Sequence, residues 1–453
     1  MSERDGWSGR AGFVLATIGS AVGIGSIWKF PYEVGANGGS GFLLFYLLGL
    51  ALVVLPLMLA EFAIGRRGGG DPVTSMAAVA KAFGAHRGWS IAGGAGVVTG
   101  FLILSFYSVI GGWTAGYAVQ TLTQGLPAPQ AQAAQARFDA FLAEPWPMIG
   151  YHAVFMTVTA LIVVRGVSGG IESACKVLMP LLLVLMLGLV GYAVVEGDLG
   201  ATLRFLFTLD PDRIGARTVI EALGLGFFSI GVGLGLMMTY AAYSGRTVRL
   251  VEVAAVSVVA DTLISLLAGF AVFPVVFAHG LDPAGGPGLV FVTLPLAFAG
   301  MPAGTAAACA FFVLVFVAAL ASSISMLELV VAMLVRRRGW SRRRATLLAA
   351  VACFAVGVPS ALSFNVLAGW HPLAGIPAFA QANLFTLIDE LTSNVLLPAV
   401  GLAFALFAGW ALPPGALDRE LLLSARAAAV LRGLLRWGAP AAIAVAALVP
   451  MLG

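Results

Sequence analysis

Charge is scarce in this chain. Only 10% of its 453 residues are Asp, Glu, Lys or Arg, 60% are hydrophobic, and the mean hydropathy is +0.99. A soluble globular domain carries about 25% charged residues, so that class is excluded. Histidine is nearly absent: His86, His152, His279 and His371 stand alone, with no nucleophile–base pairing or metal-ligand spacing around them. The three cysteines, Cys175, Cys309 and Cys353, lie in or beside apolar segments and fit neither a metal site nor a disulfide framework. They read as small buried hydrophobes. No GxxxxGK[ST] loop is present, so ATP drive from this chain is not supported, and the chain does not read as an enzyme. The alternating pattern of an outer-membrane barrel is missing as well. What is present instead is a series of continuous apolar runs of some 20 residues, each long enough to cross a hydrocarbon core roughly 30 Å thick.

Eleven such spans are read, at about 11–33, 40–65, 90–123, 146–164, 172–195, 216–243, 249–278, 304–335, 345–364, 378–410 and 427–451. No small-residue cleavage site follows the first run, which therefore reads as a span and not as a removed leader. The pI near 9.1 does not point to nucleic acid, because the basic residues lie between apolar runs, where they set topology. Of the 25 Lys and Arg, 20 fall in the N-terminal segment and alternate loops, four (Arg137, Arg204, Arg213 and Arg217) fall in the others, and Lys29 is intramembrane. This asymmetry predicts a plasma-membrane protein with a cytoplasmic N-terminus and, after an odd number of spans, an extracytoplasmic C-terminus.

Two spans hold dense glycine at their centres: the first, at Gly19, Gly23 and Gly25, and the sixth, between Gly224 and Gly235. Unwound backbone at membrane depth is tolerated only where it lines a site. Paired breaks in corresponding positions of two five-helix halves point to an inverted repeat with its site between the halves. Amino ends of broken helices suit a carboxylate, and carbonyl ends suit a hard cation. Glycines that merely allow close helix packing are the plain alternative.

The segments AVGIGSIWKFPY (Ala21–Tyr32), NGG (Asn37–Gly39), PLMLAEFAIGR (Pro56–Arg66), WTAGY (Trp113–Tyr117), RGVSGGIE (Arg165–Glu172), FVTLP (Phe291–Pro295), ASSIS (Ala321–Ser325) and DELTSNVLLP (Asp389–Pro398) follow one another along the chain. In these segments the sequence resembles the neurotransmitter:sodium symporter family, especially its bacterial amino-acid transporters. The resemblance implies the leucine-transporter fold, an all-α arrangement of five-plus-five inverted repeats with helices one and six unwound at mid-membrane. That fold is itself the standard example of the paired-break rule, so the glycine clusters and the resemblance are not independent. The parts would be an N-terminal segment 1–10, a first repeat 11–196, an extracellular loop 197–215, a second repeat 216–411, and a loop plus eleventh helix 412–453.

The resemblance also implies roles. The substrate carboxylate would meet the amides of Ile24 and Gly25 and the Tyr107 hydroxyl, bordered by Ala21 and Ser229. Ile103, Phe228, Gly231, Leu234, Ser322 and Met326 would line an apolar side-chain pocket, which suits a hydrophobic amino acid. A first sodium ion would take the Ala21 carbonyl, Ser26, Ser229 and Asp261. Ser26 and Asp261 stand where the family has, or usually has, asparagine. A second sodium ion would take the carbonyls of Gly19, Val22 and Ala318 with the Ser322 hydroxyl, while Ala321 lacks the family's second hydroxyl. Leu225 replaces the family glutamine at the chloride site that Ser229 and Ser265 match, so Asp261 is expected to supply the negative charge and make chloride unnecessary. Lys29 and Asp389 match the outer gate pair, Arg4 and Trp7 the inner latch, and Glu61 an acid that braces the two breaks. The latch's acidic position is Arg336, so the usual inner ion pair is not expected, and 336–344 reads as a solvated basic loop facing anionic lipid. The favoured function is sodium-driven import of a hydrophobic amino acid, with no organic cofactor and no nucleic acid. Proton-coupled or uncoupled transport on the same fold, or a non-transporting sensor or channel, are the alternatives.

Overall fold

The computed structural model describes residues 6–283 and 288–452, and every regular element among them is helical. Nine helices among them are long and apolar enough to cross a bilayer: Ser40–Gly68, Arg87–Gln124, Pro145–Val163, Val167–Glu196, Leu250–Ala278, Gly304–Arg338, Arg342–Leu362, Leu384–Ala411 and Ala425–Ala446. Arg10–Ala21 and Gly25–Ala36 form one further span, bent by 51° at the first glycine cluster. Ala216–Ile230 and Leu236–Ala242 flank the second cluster and account for the remaining span of the eleven.

Local chemistry explains where the ends differ from the sequence reading. The ninth span begins at Arg342, three residues early, because the Ser341 hydroxyl accepts the Arg344 N–H and caps it. The tenth begins at Leu384, where the Asn383 side chain accepts the Thr386 N–H at 2.9 Å. Shorter helices lie between the spans: Pro72–Ala82, capped by Asp71, Ala131–Ala143 and Leu199–Phe207. The last lies inside the segment read as a plain loop. Leu289–Ala299 is apolar but shorter than a span.

The sites sit where the two broken spans meet the long helices Arg87–Gln124 and Gly304–Arg338. Glycine makes that approach possible. A Cβ on Gly96 would lie 2.5 Å from the Leu234 carbonyl, and one on Gly65 would lie 2.1 Å from that of Met238. Helix Ala131–Ala143 covers one end of the bundle. There Phe138 stacks on Phe291 at 5.4 Å, and Tyr117 and Trp113 pack edge-on against the same ring.

Candidate functional site

The first break is short. Ala21 ends one helical half, Val22 is extended (φ −77°, ψ 108°), and Ile24 is already helical again. The turn leaves unpaired carbonyls on one side and unpaired N–H groups on the other. Gly23 sits at its apex, where a Cβ would lie 2.5 Å from Ser322 Oγ and 2.7 Å from Tyr107 Oη. In the second break Gly231, Gly233 and Gly235 all have positive φ (71°, 88° and 83°), a region that L side chains rarely enter.

The N–H side of the first break meets Tyr107. The Ile24 N–H donates to Tyr107 Oη at 3.0 Å. Below this pair is a small cavity of about 30 Å³ lined by Gly25, Ile103, Tyr107, Phe228, Ser229, Gly231, Leu234, Ser322 and Met326. These are nine of the eleven residues assigned to substrate. Ile24 faces a larger cavity above, and Ala21 is buried without lining either. Ser20, Gly23, Leu236 and Leu397 also line the small cavity, although sequence reasoning did not assign them. No local pattern marks Leu397, on the tenth span, as a lining residue.

The carbonyl side meets Ser322. Its Oγ lies 3.5, 3.4 and 3.2 Å from the carbonyl oxygens of Gly19, Ser20 and Val22. One hydroxyl proton satisfies only one of the three, so the remaining oxygens form a cluster suited to a small cation. Ala318 is buried one helical turn away on the same helix.

A second oxygen cluster surrounds Asp261, which is fully buried. Ser26 Oγ donates to its Oδ1 at 2.5 Å, Ser229 Oγ lies 3.1 Å from both carboxylate oxygens, and Tyr46 Oη donates to Oδ2 at 3.2 Å. Among the described residues no Lys or Arg pairs with it. A buried carboxylate without a cation carries a large desolvation cost, and hydroxyls alone do not neutralise it. The donor set, one carboxylate and three hydroxyls, fits a hard monovalent cation. Tyr46 was missed, although it is the one polar side chain in the run 42–55 and could have been singled out on that ground.

Glu61, also fully buried, accepts the Gly233 N–H at 2.6 Å. It reaches the second break, and its other oxygen has no partner among the described residues, so bracing of both breaks is corrected to one.

The gates depart further from expectation. Lys29 and Asp389 line the same cavity of about 260 Å³ above the first break, yet no ion pair joins them among the described residues. Lys29 Nζ instead lies 4.6 Å from the centre of the Phe228 ring, and Asp389 Oδ1 accepts the Ser393 hydroxyl at 2.8 Å. On the face carrying the N-terminus, Trp7 Nε1 donates to the Tyr240 carbonyl at 2.9 Å, and Ser8 N donates to the buried Glu172 at 2.8 Å. Arg4 lies outside the described residues. The expectation of a wholly solvated 336–344 loop is corrected at Arg342. Its guanidinium pairs with fully buried Glu328, and its Nε donates to the Val163 carbonyl at 2.9 Å. Tyr243 Oη donates to the same carboxylate at 2.8 Å. An acid within a span is a standing signal of function, and Glu328 is the only one in 304–335.

A sequence model described as the sodium:neurotransmitter symporter family matches residues 4–144 and 135–388. An uncharacterized sodium-dependent transporter, YhdH of Bacillus subtilis, is 36% identical over 401 residues, 88% of this chain and 86% of its own length. The sodium-dependent dopamine transporter of Bos taurus is 27% identical over 89% of this chain and 63% of its own. The crystal structure of MhsT in complex with L-phenylalanine matches with a TM-score of 0.89 at 40% identity, covering 98% of this chain and 99% of the other.

Proposed function

The chain belongs to the sodium:neurotransmitter symporter family, and from that premise we propose that it imports a hydrophobic amino acid together with sodium by alternating access. The observation that carries the substrate class is the Ile24–Tyr107 pair at 3.0 Å above an uncharged, apolar cavity. A substrate carboxylate would take the amide proton from Tyr107 and accept the phenol proton as well. The apolar walls, Gly231 among them, would take the side chain. The L-phenylalanine in complex with MhsT supports the same class.

Sodium would enter at the two oxygen clusters, one around Asp261 and one around Ser322. The cluster around Asp261 would share Ser229 with the substrate cavity, which gives a physical basis for coupling. The N-terminal face would be cytoplasmic, and the C-terminus would lie outside. Trp7, Glu172, Glu328 and Arg342 would then form the inner closure, while Lys29, Phe228 and Asp389 border the outer entrance.

The test is a thermal-shift screen of the twenty amino acids with the purified protein, in sodium and in choline. A hydrophobic amino acid should stabilise the protein in sodium and much less in choline, since a ligand of the native state raises stability. Tyr107→Phe should weaken that ligand by roughly 1–2 kcal/mol, the scale of a lost hydrogen bond to a charged group. Affinity equal to wild type would remove the carboxylate assignment. In proteoliposomes, uptake unchanged in choline but collapsing with the pH gradient would replace sodium by protons.

Chloride provides a separate check. With Asp261 as the fixed negative charge and Leu225 in place of a polar anion ligand, replacing chloride by gluconate should leave initial uptake unchanged. A collapse of uptake in gluconate would mean that Asp261 does not serve in place of the anion.

A further inference from the structure

A cavity of about 690 Å³ opens on the face that carries the N-terminus, far from the helix breaks. Four arginines, Arg66, Arg67, Arg246 and Arg419, line it against a single carboxylate, Glu420. They come from the end of the second span, the connection between the sixth and seventh spans, and the segment before the eleventh.

The one carboxylate is already committed. Arg66 Nε donates to Glu420 Oε2 at 2.9 Å, its Nη2 donates to the Glu420 carbonyl, and its Nη1 donates to the Val248 carbonyl at 2.6 Å. Arg67 is 3.9 Å from Glu420 Oε1 and lies over the Phe83 ring at 4.5 Å, which leaves most of its donors unused. Arg246 and Arg419 form no side-chain hydrogen bond or ion pair among the described residues. Arg246 and Arg419 thus face the same space without a carboxylate, and Arg67 beside them only shares Glu420 with Arg66. Like charges held together repel unless an anion enters, and guanidinium forks match the oxygens of a phosphate group. The space is within the size range of small-ligand sites, so it admits a phosphate with a substituent.

We propose that this cavity is a binding site for a phosphate group, either free or as the headgroup of an anionic phospholipid. Occupancy would tie together the three segments that supply the arginines.

The test compares the thermal stability of the purified full-length protein, at constant sodium and ionic strength, in inorganic phosphate and in chloride. A second arm compares phosphatidylcholine nanodiscs with and without phosphatidylglycerol. Arg246→Gln combined with Arg419→Gln removes the free donors at exposed positions. Arg343→Gln combined with Arg344→Gln removes the same charge elsewhere on the face. The expected result is a saturable stabilisation of the wild type, with apparent affinity weakened roughly tenfold or more in the first pair, the scale of lost charge-assisted hydrogen bonds. It is retained in the second pair. A response to phosphate in detergent identifies a free anion, and a response confined to phosphatidylglycerol identifies a headgroup. No response to either probe, an undiminished response in the first pair, or equal loss in both pairs would overturn the proposal.

Discussion

Asp261→Asn raises the sodium concentration needed for half-maximal uptake by at least about 30-fold, the equivalent of ~2 kcal/mol. Asp261 is the one formally charged member of its cluster, whose other members are the hydroxyls of Ser26, Ser229 and Tyr46. Removing one partner from a buried charge pair costs on the order of 2–5 kcal/mol, and the low end of that range sets the expected shift. The substitution keeps the shape of the side chain and one carbonyl oxygen, which separates loss of charge from loss of fold. Without sodium, the variant should be at least as stable as wild type, because an isolated buried carboxylate opposes folding and a neutral amide does not. The measurements are sodium-dependent uptake into proteoliposomes and the sodium-induced shift in Tm. A wild-type sodium curve in the variant would remove Asp261 from the cation site.

Arg342→Ala moves the protein toward the form open on its N-terminal face and slows uptake. Glu328 is fully buried and is paired by Arg342 and Tyr243. Leaving such a carboxylate without its cation costs about 3–5 kcal/mol, a penalty that the closed form alone would bear if opening hydrates the site. Cys175 reports the shift. Its Sγ would lie 3.3 Å from a Cβ on Gly19, behind the closure made by Trp7 and by Ser8 on Glu172. With Cys309 and Cys353 replaced by alanine, maleimide should label Cys175 faster in the Arg342→Ala protein. Adding Glu328→Gln should restore slow labelling in part, since removing both charges costs less than removing one. Unchanged labelling and uptake would show that the pair does not hold this face closed.

The spans and both breaks were legible because they depend on local composition. A continuous apolar run marks a helix in lipid, and clustered glycines mark backbone that cannot remain regular. The pairs across the bundle were not legible in that way. Tyr46 and Asp261 are 215 positions apart, and nothing in the period of either helix specifies their contact. The arginines between 336 and 344 are equivalent by composition, yet it is Arg342, brought to the start of the ninth span by the Ser341 cap, that pairs with Glu328. Glu328 was not singled out from the sequence, although an acid in the middle of an apolar helix was a signal available to find it. Lys29 and Asp389 show the converse. Their chemistry is complementary and they share a cavity, but the distance between them is not fixed by residue type.

Energy conversion would be concentrated at Gly23. The single carbon it lacks would fall 2.5 Å from the serine hydroxyl of one proposed cation cluster and 2.7 Å from the tyrosine hydroxyl of the proposed carboxylate cradle. Under the proposed assignments, driving force and cargo would therefore be close neighbours at that point. An ion gradient could be converted to an amino-acid gradient there by direct contact, with no relay through the body of the protein.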